Sequence, residues 1–208
     1  MMSDFLLQPL RSMGLPLSRV TPTQTEQDDI ALVAASQAGD QEAFSLLVQR
    51  HQRRVFNIVF RMLQNYEETN EVTQETFLAA WQGLKTFRGD ARFSTWLYRI
   101  AYNCSLKQLE LRKRDWALQS AMEEEHNSSE EQISTKLEAQ DRQRLVREHL
   151  LQLPTKYRAV LILRHLQDMS YEEMAEILTM PIGTIKTHLF RARNLLKERL
   201  EAFYKSEE

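Results

Sequence analysis

Apolar residues along this chain recur at spacings of three and four, and almost nowhere do they alternate singly with polar ones. The longest such stripe is Phe44, Leu47, Val48, His51, Val55, Ile58, Val59 and Met62, the buried face of a long helix. His51 falls inside it. Since no second His, Cys or carboxylate cluster has metal-ligand spacing, His51 reads as a packed core residue and no metal or other cofactor is expected. A shorter helix from about Asp28 to Ala38 precedes it, ended by Gly39, and Asp40 is placed to cap the long one. A third helix covers about 68–84, with Val72, Phe77, Ala80, Trp81 and Leu84 inward. A fourth begins after Phe93, with Ser94 as N-cap and Phe93 and Tyr98 as a hydrophobic staple, and runs to Arg112, Lys113 and Arg114. Residues 116–137, centred on EEEHNSSEE, hold too little apolar surface to pack. Helices resume from about Lys136 to Gln152, and again from Pro154 to near Leu166.

The expected fold is therefore all-α: two small helical domains joined by an acidic flexible linker. Residues 1–27 form a flexible N-terminal extension, 28–115 the first domain, 116–137 the linker and 138–208 the second domain. Five glycines and five prolines in 208 residues agree with a helical chain. Charge sharpens the division. Residues 41–115 carry twelve basic and eight acidic groups and residues 142–208 twelve and nine, while residues 116–141 carry one and seven. Two basic blocks flank an acidic one. No apolar run is long enough for a bilayer, so direct membrane insertion is not expected. The N-terminus lacks the pattern of an export signal, and the lone Cys104 fits a reducing cytoplasm.

Two segments carry chemistry. In SYEEMAEILTMPIGTIKTHLFRARNLLKERL, Ser170 and Glu173 form a capping box that opens a helix bearing Met174, Ala175, Ile177 and Leu178. Thr179 and Met180 make a tight connection, and Pro181 suits the first position of the next helix. Ile185, Leu189, Ala192 and Leu196 point inward. Thr184, Lys186, Thr187, His188, Phe190, Arg191 and Arg193 are left for a duplex: threonines for phosphate or base edges, cations for guanine or phosphate, Phe190 for a thymine methyl. This is a helix-turn-helix. The second segment, FRGDARFSTWLYRIAYN at 87–103, sets Phe87, Phe93, Trp96, Tyr98 and Tyr102 beside Arg88, Arg92 and Arg99. Exposed rings flanked by cations hold single-stranded nucleic acid, with bases stacking at about 1–3 kcal/mol each.

Taken with NEVTQETFLAAW at 70–81, these segments resemble, in order and content, the extracytoplasmic-function sigma factors of the bacterial sigma-70 family. The resemblance covers about residues 28–204. It implies an alternative sigma factor that binds core RNA polymerase, recognises promoters and opens the minus-ten region, working in the cytoplasm and not an enzyme by itself. It places Glu71, Gln74 and Glu75 against polymerase, with Val72 and Trp81 anchoring their helix. It places Phe87, Arg88, Arg92, Phe93, Trp96, Arg99, Asn103 and Lys107 on the minus-ten DNA and the helix-turn-helix on the minus-thirty-five element. An anti-sigma factor is the further partner implied. Lys107 stands where the family often has Asp, His188 where Arg is frequent, and Thr179 where a turn glycine is frequent. The alternative is a conventional helix-turn-helix regulator acting on duplex DNA without polymerase. No phosphate-cradling glycine loop, nucleophile elbow or suitably spaced carboxylate pair argues for an enzyme.

Overall fold

A computed structural model of the chain describes residues 22–122 and 145–206, residue 147 excepted. Helix α1 spans Pro22–Gln37, α2 Gln41–Leu63 and α3 Tyr66–Gly83, followed by a 3-10 turn at Leu84–Thr86 and by α4, Phe93–Met122. Helical residues also occur within 145–151. Then come α5 at Thr155–Leu161, running into a π turn at Ile162–Leu166, α6 at Tyr171–Leu178 and α7 at Ile182–Ser206. No strand occurs among the described residues.

The long stripe behaves as its spacing dictates. Leu47, His51, Val55, Ile58, Val59 and Met62 are buried on α2, with Phe44 and Val48 half-buried at its flanks. The Asp40 carboxylate accepts from the amides of Glu42 and Ala43 at 2.9 and 3.1 Å, satisfying two of the donors a helix start leaves open. Gly39, at φ +103°, makes the turn that a β-carbon would strain. His51 is held in the core by polar bonds: its Nε2 lies 2.8 Å from Asp29 on α1 and its Nδ1 3.4 Å from the Tyr98 hydroxyl on α4. Both ring nitrogens therefore have a polar partner.

The far end of α2 explains how the chain's two halves meet. The last four carbonyls of a helix have no partner within it. Here Gln64, left-handed at φ 55°, gives its amide to Phe60 O at 2.7 Å and its side chain to Arg61 O at 3.5 Å. Met62 O accepts from Arg158 of α5 at 2.9 Å, and Leu63 O from Arg112 of α4 at 3.3 Å. Every carbonyl is satisfied, two of them by cations at the negative end of the helix. Arg158 is itself buried and also donates to Leu151 O and, at 3.3 Å, to Leu153 O. Around these contacts the buried apolar residues of both halves, from Val33 to Leu200, form one connected cluster.

Several boundaries differ from expectation. α1 starts at Pro22, so residues 22–27 belong to a helix rather than to the extension; residues 1–21 lie outside the described residues. α4 does not stop at the basic cluster but continues to Met122, because no Gly or Pro interrupts 115–122. It takes the first residues assigned to the linker, and 123–144 lie outside the described residues. α4 also begins at Phe93, with Trp96 N bonded to Arg92 O at 3.1 Å, which puts Ser94 inside the first turn instead of at the cap. Pro181 likewise precedes α7, its carbonyl accepting from Ile185 N at 3.1 Å.

Candidate nucleic-acid interface

The aromatic segment is set by its anchors. The side-chain amide of Gln37 on α1 donates to Leu84 O at 2.9 Å and Phe87 O at 2.8 Å, pinning the 3-10 turn that leads into it. Gly89, at φ +77°, then reverses the chain toward α4. From Phe93 onward the α-helical period decides which side chains face out. Phe93, Leu97, Ala101 and Ser105 line the inner face, flanked by Tyr98 and Tyr102, and all six are buried. The rings of Phe87, Phe93 and Trp96 pack on one another, with centroids 4.9 to 6.1 Å apart, and Phe93 also meets His51 edge-on at 5.5 Å.

The outward cradle of rings is thus corrected. Phe93 is only 5% exposed, and Tyr98 and Tyr102 are as deeply buried, because a helix beginning at Phe93 turns them to the core. Burial pushes the Tyr98 hydroxyl up to about 12. Phe87 and Trp96 are half-buried; Trp96 lies so close to Gly83 that a β-carbon there would stand 3.3 Å from its ring. What α4 presents to solvent is polar: Arg99, Asn103 and Lys107, with the edge of Trp96 beside them. The cations differ in freedom. Arg88 pairs with Asp90 at 3.1 Å, Arg92 with Glu173 of α6 at 3.4 Å, and Lys107 with Glu75 of α3 at 2.8 Å. Arg99 has no partner among the described residues.

On α3, Asn65 caps the start by accepting from Glu68 N at 3.0 Å. Glu71, Gln74 and Glu75 are exposed along one stripe, Val72 is buried beneath them, and Trp81 packs on Phe44 at 4.8 Å. Leu78 continues the stripe, 58% exposed. The sequence reading passed over it, although its place four residues after Gln74 gives it away. Glu75 and Lys107, assigned to different partners, meet here as one ion pair.

In the helix-turn-helix the capping box forms, with Glu173 N bonded to Ser170 Oγ at 3.1 Å and Ser170 N to Glu173 Oε2 at 2.8 Å. Thr179 takes the left-handed conformation, φ 53°, where glycine would be unstrained. Met174, Ile177, Leu178, Ile185, Leu189, Ala192 and Leu196 close the core between α6 and α7. Lys186, Thr187, Phe190 and Arg191 are exposed on α7 and Thr184 is half-exposed. The outward placement of His188 and Arg193 is corrected. His188 packs edge-on against Tyr157 at 5.4 Å, and Arg193 donates to the His165 ring at 3.3 Å, both half-buried against the preceding helix and turn. Burial, with Lys156 and Arg191 nearby, lowers the His188 pKa and keeps the ring neutral at pH 7.

Residues 47–117 match the family described as sigma-70 region 2, and residues 143–196 match sigma-70 region 4. The chain is 34% identical over 185 residues to the RNA polymerase sigma-H factor of Pseudomonas aeruginosa, covering 85% of this chain and 96% of that one. It is 35% identical over 186 residues to the ECF RNA polymerase sigma-E factor of Escherichia coli, covering 83% and 94%. With SigW of Bacillus subtilis, an ECF RNA polymerase sigma factor, identity is 32% over 173 residues, covering 78% and 91%. The chain belongs to the ECF sigma factors. Among solved structures it is similar to CnrH in complex with the cytosolic domain of CnrY, with TM-score 0.63, 27% identity and 84% and 98% of the two chains covered. It is also similar to RpoE of Bartonella quintana in complex with the anti-sigma factor NepR, with TM-score 0.59, 25% identity and coverage of 76% and 96%.

Within this ECF sigma factor the helix-turn-helix lies against the aromatic segment. Arg54 of α2 donates to the Gln167 side chain at 3.4 Å and to its backbone carbonyl at 3.2 Å, and sits over the Tyr98 ring at 5.9 Å. Glu173 serves two elements at once, capping α6 with Oε2 and pairing Arg92 with Oε1. Asp29, Gln37, Arg54 and Arg158, which hold this arrangement together, carry no motif that sequence reading could have used.

Proposed function

We propose that this ECF sigma factor is an alternative promoter-specificity subunit of RNA polymerase and that its parts divide the work as follows. Glu71, Gln74, Glu75 and the exposed Leu78 on α3 dock on core polymerase, their carboxylates meeting basic groups, while Val72 and Trp81 fix the helix from behind. The outward strip of α4, chiefly Arg99 and Asn103 with the edge of Trp96 and Phe87, holds the unpaired minus-ten strand; Arg88, Arg92 and Lys107 add charge once their carboxylate partners yield to phosphates. Phe93 acts from the core by fixing Trp96 and Phe87. Thr184, Lys186, Thr187, Phe190 and Arg191 read the minus-thirty-five duplex, with His188 and Arg193 setting the pitch of α7.

Catalysis belongs to the polymerase; this chain supplies recognition and strand capture, in the cytoplasm where that enzyme works. Flipped bases exchange stacking in the duplex for stacking on protein. Since CnrH and RpoE were each solved with a bound partner, an anti-sigma factor is the natural regulator here too. No helix among the described residues is long and apolar enough to cross a membrane.

The observation carrying this reading is the pairing of an open carboxylate–amide stripe on α3 with an adjacent cation–amide strip on α4, in a chain that also bears a helix-turn-helix. The test is reconstitution with core polymerase and mapping of transcript starts on genomic DNA. Initiation at defined promoters that requires this chain supports it. Tight binding to duplex DNA without polymerase, and no stimulated initiation, refutes it.

A further inference from the structure

The outer side of α1 takes no part in the proposed division of work. From Ile30 to Gln37 the helix carries no charge, and Ile30, Ala31 and Ala34 are exposed on it. Ile30 is 70% exposed, and Leu46 on the adjoining face of α2 is 49% exposed. Between the two helices runs a groove of about 590 Å³, lined by Asp28, Ala31 and Leu32 of α1 and by Leu46, Gln49 and Arg50 of α2. Each trio follows the three- and four-residue spacing of one helix face. Charge stands at the end nearer the start of α1, where Asp28, 62% exposed, lies 3.8 Å from Arg50. Arg50 is held more closely by Asp29, at 2.6 Å, so Asp28 can turn to another cation without leaving Arg50 unpaired.

The segment that leads into α1 has the composition to cover this groove. Residues 1–21 hold ten apolar side chains, prolines and glycine aside, against three charged ones. That is the reverse of the composition that stays in solvent. The apolar residues are densest in DFLLQPLR, residues 4–11. Leu10 lies twelve residues before Pro22, a span of up to about 40 Å, while Asp28 and Leu32 lie about 9 and 15 Å along α1 from Pro22. The connection is therefore long enough to fold back. We infer that residues 4–11 dock in the groove between α1 and α2, with Arg11 beside Asp28 and with Phe5, Leu6, Leu7 and Leu10 over Leu32 and Leu46. The order follows from the tether: Arg11 is nearer Pro22 and meets the Asp28 end, and Phe5 to Leu7 lie farther along. A tethered segment acts at an effective concentration on the order of millimolar, so modest contacts hold it and a second copy of the chain is kept out. Once docked, it covers the helix whose Asp29 holds His51 and whose Gln37 pins the turn into the aromatic segment. Docking goes beyond the sigma-factor reading and does not depend on it.

The test uses the full chain in a Cys104→Ser background. The substitution Gln49→Cys sets a single thiol on the groove, and its rate of alkylation by a maleimide reports how well the groove is covered. With the segment docked for about nine-tenths of the time, replacing Phe5, Leu6 and Leu7 together by serine is expected to raise that rate about tenfold. Arg11→Glu, which turns an attraction to Asp28 into a repulsion, is expected to raise it about twofold. These substitutions lie outside the described helices, so circular dichroism should be unchanged. A thiol placed instead by Gln82→Cys, exposed on α3, should react at one rate in every variant. A rate at Gln49→Cys that ignores the serine substitutions overturns the proposal, and one that ignores Arg11→Glu overturns the orientation. Protection that grows with chain concentration also overturns it, because the groove then belongs to a second copy. Neither polymerase nor DNA enters these measurements, so their outcome is separate from whether the chain directs initiation.

Discussion

Arg158 is the sharpest point at which the physics of this fold can be tested. It is 8% exposed, has no carboxylate partner among the described residues, and its terminal NH groups donate to the carbonyls of Met62, Leu151 and Leu153. Replacing it by methionine keeps most of the volume and removes the donors. Two effects then oppose each other. Burial, and secondarily the charge of Arg112, push the Arg158 pKa down, which means the guanidinium is costly to hold there and its removal is a relief. Against that, the Met62 and Leu153 carbonyls lose their partner inside the protein, at about 1–3 kcal/mol for each buried group left unsatisfied. The guanidinium is weakly hydrated and its loss of water is correspondingly mild. Met62 O also sits at a helix C-terminus, where a cation is favoured.

The second set wins, and Arg158→Met is expected to destabilise the chain by about 2–3 kcal/mol. With an urea slope of about 2 kcal/mol per molar, the midpoint falls by roughly 1–1.5 M. Arg112→Met is the control. Its side chain is 43% exposed and divided between Leu63 O and the Glu68 carboxylate, so the loss is expected to stay under about 1 kcal/mol. A midpoint for Arg158→Met equal to or above that of the parent chain would falsify the reasoning, since desolvation would then exceed the carbonyl bonds.

Three further outcomes can be checked in the same format. Ser170→Ala removes one half of the capping box and should cost about 1 kcal/mol by urea unfolding; no loss would mean water replaces the hydroxyl. Burial would raise the Asp29 pKa, but the bonds from His51 and Arg50 outweigh it and hold the carboxyl below its ordinary 3.8. Its stabilisation is therefore complete above that value and lost as pH falls through the lower, folded value, so the stability gap between parent and Asp29→Asn should narrow below about pH 4. A gap unchanged with acid refutes the assignment. Finally, Arg99→Ala should weaken minus-ten strand binding without lowering the unfolding midpoint, whereas Trp96→Ala should lower stability by about 2–4 kcal/mol, and the midpoint with it, because its ring packs on Phe87, Phe93 and Gly83. Equal midpoints for the two variants would return Trp96 to the surface.

What could be read in advance was whatever local spacing decides. The α2 stripe, the Asp40 and Ser170 caps and the inward face of α7 follow from residues within a turn or two of one another. The aromatic segment could not be read so. Phe93, Tyr98 and Tyr102 look alike in sequence to rings that stack on bases, and only the exact start of α4 decides which of them face the core. One residue of shift, with Ser94 as cap, would rotate the whole row by about 100°. The continuation of α4 to Met122 was missed for a related reason: the acidic composition beyond it suggested solvent, but composition does not end a helix without a breaker. His188 and Arg193 were misplaced because Tyr157 and His165, which draw them inward, belong to elements more than 25 residues earlier.

The burial of the rings changes how the proposed strand capture would work. With only Phe87 and Trp96 half-exposed, stacking alone contributes less than a row of open rings would. More of the affinity must come from charge. Yet three of the four assigned cations, all but Arg99, already hold carboxylates: Arg88 with Asp90, Arg92 with Glu173, Lys107 with Glu75. On the proposed assignment, binding a strand exchanges ion pairs instead of filling empty cation sites, and of these four Arg99 alone starts without a partner among the described residues. On the proposed division of work, a basic group of polymerase that meets Glu75 would compete with Lys107 for that carboxylate. Any weakening of the Glu75–Lys107 pair would leave Lys107 freer to meet a phosphate. On that proposal docking and strand capture are linked through one pair of adjacent side chains on α3 and α4, which would help the chain grip promoter strand better on polymerase than off it.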